Sequence, residues 1–440
     1  MMIRQLLIVA LLAMSCDRVY AGNGGESDAR AVAMGRAQVA VAENTEAFLW
    51  NPALLGLSQN QQSLFTMQII GFGFRHGNNV LSISDYNKYN GRAFSEKDKK
   101  DFLKLFGSDN ALRFNGDAEI RAFGFSYRNY SLNASLRGDG NVSVPRGLFD
   151  LTLSNYAVGE SRLSGRGGGA GNFLASVDMS AGYPIKDYFP TVFSRFKEVT
   201  AGMTLRYVRG FEQASLTRMS GVVEQSDSVI TRGRYDALTS KGGNGMGLDL
   251  GMAAKLNRQW TFGISLHNVF SQVQWSNSNK AYHGQFLIRA SDIFDVDFRN
   301  DYKDSLGVVH PDTGSYNSSK FDSSYATGTY SRRLPMILRL GAAFQLNRRM
   351  LFAADYEHHL NNTAGLSIPR IAAGMEYRLS DAVFLRSGLS VGGDNRGFNF
   401  SGGAGFVRKN TRFDIATNNL EGLITLKRFS FALNVKTTLN

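Results

Sequence analysis

The sequence predicts an all-β fold, a transmembrane antiparallel β-barrel of about 14 strands (16 possible) with an N-terminal hatch segment. Three observations carry this. Apolar residues alternate with small or polar ones in segments of about 9–12 residues, the period of a strand whose two faces meet different solvents. These segments are about 10 residues long, the tilted crossing of a bilayer core, where soluble strands average 5–6. Very short turns also alternate with long polar loops, the asymmetry of a barrel with short periplasmic and long outer connections.

The first element is a leader. Arg4 and the apolar stretch 6–14 precede Val19-Tyr20-Ala21, so a secretory signal peptide over residues 1–21 is expected, cut before Gly22. A rival cut precedes Cys16, where Ala13-Met14-Ser15-Cys16 loosely resembles a lipoprotein box. Residues 22–61 follow as the hatch and 62–440 as the barrel. Within the hatch, Asn44 or Thr45 is placed to cap a short helix through Phe48, Leu49 and Trp50, which Pro52 then interrupts.

The strands are clearest where alternation is strict. Leu338, Leu340, Ala342 and Phe344 alternate with Arg339, Gly341, Ala343 and Gln345, and Met246 to Lys255 behaves likewise. Strands are expected at 79–87, 118–127, 130–138, 172–183, 198–209, 246–256, 259–268, 335–346, 350–358, 369–379, 382–391, 398–407, 411–417 and 428–439. That count of fourteen is even, as both termini in the periplasm require. The segment 62–75 also has strand character and would spoil the parity if counted separately. Short turns fall at 128–129, 257–258, 347–348, 380–381 and 409–410, and long loops at 88–117, 139–171, 210–245 and 269–334. Inside the first loop, Ser95 to Phe106 has a helical cap and a face of Phe102, Leu105 and Phe106.

Composition narrows the function classes. Of 440 residues 47 are Gly and one is Cys, which excludes a disulfide framework, a Cys-based zinc ribbon and a four-Cys iron–sulfur site. Beyond residue 15 no run of about 18 apolar residues exists, which excludes a helical polytopic membrane protein. The formal charge of +12 in an exported chain points to anionic lipid or lipopolysaccharide rather than nucleic acid.

Residues 28–57 carry a resemblance. Arg30, Met34-Gly35, Ala37, Val39 to Ala42, Asn51-Pro52-Ala53 and Leu55 resemble the start of mature long-chain fatty-acid transporters of the outer membrane, and of the related barrel of the type IX secretion machinery. The resemblance implies a hatch that folds into the periplasmic end of the barrel, with Met34, Gly35, Asn51, Pro52 and Ala53 as its motif. Residues 81–133 and Gly182-Tyr183-Pro184-Ile185 are similar to a family of outer-membrane barrels of unknown function.

Chemistry-bearing motifs are weak. Ser194-x-x-Lys197 lacks its partner motifs, and the glycine-rich 165–171 stretch lacks the Lys and helix of a phosphate loop. His358-His359 sits where strand neighbours point apart. Asp292, Asp295, Asp297, Asp301 and Asp304 mix with basic residues, the composition of a solvated loop. Alternation places Asp249, Arg339, Asp355, Glu357, Glu376, Arg378 and Arg386 in the lumen, as ion pairs rather than an acid–base pair, with Glu376 beside Arg378. No metal, cofactor or enzymatic activity is expected.

Two functions remain. The first is a bacterial outer-membrane channel for hydrophobic molecules such as long-chain fatty acids, gated by movement of residues 29–57 about Asn51-Pro52. The second is a non-transporting barrel that holds protein partners of a secretion or surface-assembly machinery. An apolar middle of the lumen favours the first, and a polar, plugged lumen the second.

Overall fold

The computed structural model describes residues 24–439 apart from 91–93, 154–158, 163–166, 226–228, 290–300, 304–308, 312–322, 362–367 and 394–396. The leader and the Cys16 alternative lie outside the described residues, as do residues 292–300 and 304 of the acidic stretch. Fourteen long strands make the wall. In chain order they are β1 (Phe65–Asn78), β2 (Ala111–Tyr127), β3 (Tyr130–Pro145), β4 (Gly168–Pro184), β5 (Glu198–Gln225), β6 (Val229–Lys255) and β7 (Trp260–Arg289). The second half is β8 (Ile337–Gln345), β9 (Met350–His359), β10 (Arg370–Arg378), β11 (Val383–Gly392), β12 (Phe398–Arg408), β13 (Thr411–Thr417) and β14 (Arg428–Leu439). Each is antiparallel to the next, and β14 closes on β1 from Phe65↔Leu439 to Gly77↔Arg428. Closure leaves no long unpaired edge.

Period-2 alternation sorts the side chains. On β5 the outward residues Met203, Leu205 and Tyr207 are exposed, while on β2 and β8 the inward Arg121 and Arg339 are at most 1 % exposed. Apolar outside and charged inside inverts a soluble core and matches a wall facing lipid.

The structure corrects three sequence expectations. The first strand is β1, the 62–75 segment left out of the count, whereas 79–87 is not a strand. There Ser82 accepts from the Asp85 amide and Asp85 answers with a bond from the Ser82 amide, which starts helix Ile83–Tyr89. One strand replaces the other, so the count of fourteen stands. Second, much of the expected loops 210–245 and 269–334 is strand. β5, β6 and β7 run for 28, 27 and 30 residues, far past a bilayer's need. Beyond the bilayer both faces meet water, so the ladder continues while its hydrophobic signature fades. Third, Gly168 to Gly171 belongs to β4 and pairs with β3 and β5 rather than forming a loose loop.

The helix expected at 95–106 is present as Glu96–Lys104, with Ser95 and Asp98 in a reciprocal cap. Its Phe102 and Phe106 pack with Tyr89 and Phe149 of the neighbouring helices, over Leu112 and Val144 at the upper ends of β2 and β3. This is a closed aromatic knot beside the rim. No helix among the described residues is long and apolar enough to cross a membrane.

Candidate functional site

The site is the lumen, filled by residues 25–57. Nearly every residue from Gly25 to Leu57 is buried. Helix α1 (Ala29–Ala33) begins at Asp28, whose carboxylate accepts from the Ala31 amide (3.1 Å) and from the Trp50 indole (2.8 Å). Burial and the nearby Glu46 carboxylate push the Asp28 carboxyl above its ordinary value. Small residues let α1 lie close to the wall, with Ala29, Val32 and Ala33 on Ala416 and Ala432. The chain then reverses at Gly35 and Arg36, both with positive φ (65° and 72°).

Helix α2 (Ala47–Trp50) follows a 3₁₀ turn at Asn44–Glu46. Neither Asn44 nor Thr45 caps it: Asn44 starts the turn at φ 45° and donates from its amide to Thr66 Oγ1 (3.2 Å). Trp50 is fully buried, with the Arg36 and Arg339 guanidiniums 5.5 and 5.0 Å from its ring. Pro52 lacks an amide and stops the helix, leaving its last carbonyls to the wall. Arg339 donates to the Leu49 carbonyl (2.6 Å) and Ser265 Oγ to the Trp50 carbonyl (2.7 Å), beside which His267 Nε2 lies at 3.0 Å.

Other anchors ring the segment. Glu119 accepts from the amides of Gly25 (2.7 Å), Glu26 (2.8 Å) and Ser27 (3.4 Å), and Asp355 from those of Gln38 (2.6 Å) and Val39 (2.9 Å). Asn51 accepts from the Ala53 amide and donates to the carbonyls of Val39 and Met252, and Thr200 donates to the Ala53 carbonyl. Wall glycines make the approach possible. A Cβ on Gly388 would stand 2.3 Å from the Gly35 nitrogen, and one on Gly202 would stand 2.4 Å from the Ala53 nitrogen.

The motif residues therefore all lie where the segment meets the wall, Met34 and Gly35 against Gly374 and Gly388, and Asn51, Pro52 and Ala53 against Gly251 and Gly202. Of the expected lumen charges, Arg339 binds Glu357 (2.7 Å), which also takes Arg370 (3.0 Å), a residue outside the expected set. Glu376 binds Arg30 (2.9 Å) and Arg386 (2.6 Å), and Arg386 also reaches Asp414 (2.8 Å). Asp249 receives Arg206 (3.0 Å), the Asn268 amide and His267 Nδ1 (3.1 Å). Arg378 departs from expectation: at the short-turn end of β10 it turns to water and pairs with the exposed Asp381 (3.0 Å), so Glu376 and Arg378 form no pair. Asp355 and Glu357 are both committed, one to backbone amides and one to arginines, and they do not converge on a cleft. Sequence reasoning missed Glu119, Arg206, Thr200, Ser265 and His267, although all five fall within expected strands on the inward face of the alternation.

Beyond α2 lies a cavity of about 90 Å³. Phe48, Leu49, Leu174, Val208, Leu334 and Ile337 form an apolar side, and Glu119, Arg137, Asp178, Arg206, His267 and Asn268 a polar one. Among the described residues no cluster of His, Cys, Asp and Glu is placed to hold a metal ion.

A family of unknown function (DUF5723) matches residues 56–241 and 217–415 of the chain. None of the curated proteins compared with it matches. Among solved structures, the toluene transporter TbuX of Ralstonia pickettii aligns over 96% of this chain and 100% of its own, at 13% identity and a TM-score of 0.50. The Pseudomonas putida toluene transporter TodX aligns over 97% and 98% (11% identity, TM-score 0.44) and a Pseudomonas aeruginosa FadL homologue over 96% and 97% (12%, 0.42). The likeness to TbuX is one of fold, and it is the fold expected from residues 28–57. With the family match reaching from residue 56 to 415, the chain belongs to the DUF5723 family, and its closed fourteen-stranded barrel has the fold of the toluene transporter TbuX.

Proposed function

We propose that the chain is a bacterial outer-membrane channel for small hydrophobic molecules, closed by residues 25–57, with its short turns in the periplasm. It is no enzyme, and its surroundings are outer-membrane lipid and lipopolysaccharide. The observation that carries this reading is the cavity whose floor is Phe48 and Leu49 of the plugging segment itself, so that anything held there rests on the part that must move. The toluene transport named for TbuX and TodX supports it by fold. At about 90 Å³ the cavity is far below the roughly 300–1,000 Å³ of ordinary ligand pockets, so it suits a small apolar molecule. A long-chain fatty acid would enter only with the segment displaced.

Mass spectrometry of apolar molecules retained by barrel purified from its own membrane tests this, with Leu174→Trp as the filled-cavity control. A small hydrophobic molecule at near-stoichiometric yield, lost in Leu174→Trp, is the expected result. Equal yields from both proteins would overturn the reading.

A second reading, a barrel that holds protein partners, has its own observation: at the level of the plugging segment the lumen is ionic and filled. The 28- to 30-residue strands also stand well clear of the barrel. An empty barrel that reproducibly brings down one defined protein would favour it.

A further inference from the structure

The connections at the short-turn end are nearly all brief: two residues at 128–129 and 409–410, and four at 256–259, 346–349 and 379–382, each of these three with a single exposed leucine. One is not. Between β4 and β5 run thirteen residues, 185–197 (IKDYFPTVFSRFK). They form an ordered double turn. The Ile185 amide bonds Val199 (2.8 Å), Phe193 bonds Phe189 (3.1 Å) and Phe196 bonds Phe193 (3.0 Å), while Phe189 and Phe193 meet edge to face at 6.3 Å. Yet this turn presents Tyr188 at 79 %, Phe189 at 56 % and Val192 at 72 % exposure. Lys186, Arg195 and Lys197 stand among them, against the single acid Asp187.

Holding three large apolar side chains in water is unfavourable in proportion to the area left uncovered. A clustered apolar patch rimmed by charge therefore marks a contact surface. Its position says with what. The turn begins two residues after Tyr183, which is 46 % exposed on the outward face and packs edge to face with Tyr130 of β3 at 5.7 Å. Above Tyr183 the outward face of β4 continues with Met179 and Val177. The exposed aromatic residues thus prolong the outward apolar band of the wall, with cations interleaved. Aromatic rings and snorkelling Lys or Arg side chains are the composition of the headgroup layer of a bilayer.

We propose that residues 185–197 are a membrane-interface foot: Tyr188, Phe189 and Val192 enter the headgroup layer of the periplasmic leaflet, and Lys186, Arg195 and Lys197 meet lipid phosphates. The foot rests on the reading of the wall as membrane-spanning. It anchors one side of the barrel at a set depth, next to β5, whose Thr200 holds the plugging segment.

The test uses full-length protein in a Cys16→Ser background, with one fluorescent label at Val192→Cys, Leu205→Cys or Arg258→Cys. Each is reconstituted in phosphatidylethanolamine–phosphatidylglycerol vesicles containing lipid brominated close to the headgroup. Quenching at 192 comparable to that at the band position 205, with 258 in the ordinary turn much less affected, is the expected result. Arg195→Glu with Lys197→Glu should reduce quenching at 192 and leave 205 unchanged. If 205 is quenched and 192 follows 258, the foot is refuted while the membrane reading stands. Absence of quenching at 205 would refute the membrane reading, and the foot with it. A label at 192 that is aqueous in vesicles but shielded in native membranes would assign the patch to a protein instead and overturn the proposal.

Discussion

Replacing Gly388 with alanine adds one methyl group where the plugging segment meets the wall and removes no bond. The added carbon would stand 2.3 Å from both the Gly35 nitrogen and the Met34 carbonyl carbon, against the 3.4 Å at which ordinary contact begins. One backbone must therefore retreat by the difference, 3.4 − 2.3 = 1.1 Å. Gly388 sits in a hydrogen-bonded ladder with Gly374 on one side and Ser401 on the other, so the wall is the stiffer partner. Gly35 has little room to turn aside, because it already has φ 65° and lies against Leu389. Overpacking of this kind costs about 1–3 kcal/mol. At tenfold per 1.4 kcal/mol that raises the unseated fraction of the segment roughly five- to a hundred-fold. Hydrogen–deuterium exchange of peptides covering residues 30–42 reads the change, and ion conductance in planar bilayers reads its consequence. Gly138→Ala is the matched control, since its nearest neighbour would be Phe173 at 3.8 Å. Faster exchange confined to the segment is the expected result. Unchanged exchange there, with a lower melting temperature of the barrel, would show that the wall yields first and refute the reasoning.

Arg339→Met removes the cation that serves Glu357, the Leu49 carbonyl and the Trp50 ring, and leaves the buried Glu357 one arginine short; a loss of about 3–5 kcal/mol is expected in chemical denaturation. Ser95→Ala should cost about 1 kcal/mol locally, loosening the rim helix by exchange without altering conductance. For Glu26, burial alone would raise the carboxyl, but Arg36 and Arg75 overcome it and hold it below its ordinary 4.5. The stability it supplies is present above pH 4.5 and is lost as pH falls through the lowered value, so Glu26→Gln should flatten the acid side of a melting-temperature profile. Deleting residues 25–57 should leave a folded barrel permeable to small polar solutes in a liposome-swelling assay; loss of the barrel on gels would make the segment a structural core instead.

What was legible in the sequence was whatever alternation or local capping encodes. β8 and β10 were found within two residues because each has one face to the outside and one to the lumen. The Ser95 cap was legible because it lies within four residues of its partner. The helix at Ile83–Tyr89 was missed because Leu81 to Ile83 alternates by accident, and a capping box outweighs three residues of β pattern. The length of β5 to β7 was invisible because period 2 carries information only where the two faces meet different surroundings. The anchors Glu119, Ser265 and His267 were hidden for another reason. Each holds a backbone group 92–217 positions away in the chain, and no local signal marks such a pairing. Arg378 shows the converse: alternation gives the face correctly, but only the position along the strand decides whether that face is lumen or water.

The distribution of anchors argues for where a moving plug would bend. From Trp50 to Gly56 the segment is fastened from several sides at once. Asn51 is bonded to β6, Ser265 and His267 of β7 hold Trp50, Arg339 of β8 holds Leu49, and Thr200 of β5 holds Ala53. Rotation about Asn51-Pro52 would break most of these together. Residues 25–34 carry wall contacts of their own: Glu119 takes the amides of Gly25 to Ser27, Arg121 donates to Ser27, Arg75 pairs with Glu26, Arg30 with Glu376, and Ser401 Oγ donates to the Ala33 carbonyl. Between the two stretches lie Gly35 and Arg36, the adjacent positive-φ pair, followed by the two amides on Asp355. With both stretches fastened, a bend falls on the turn that joins them. We propose Gly35-Arg36, rather than the Asn51-Pro52 expected from the sequence, as the point about which a moving segment would turn. A methyl group at Gly388 would press on that turn and, at 2.7 Å, on Ser401 Oγ, which donates to the Ala33 carbonyl, so it strains the turn and the stretch before it together.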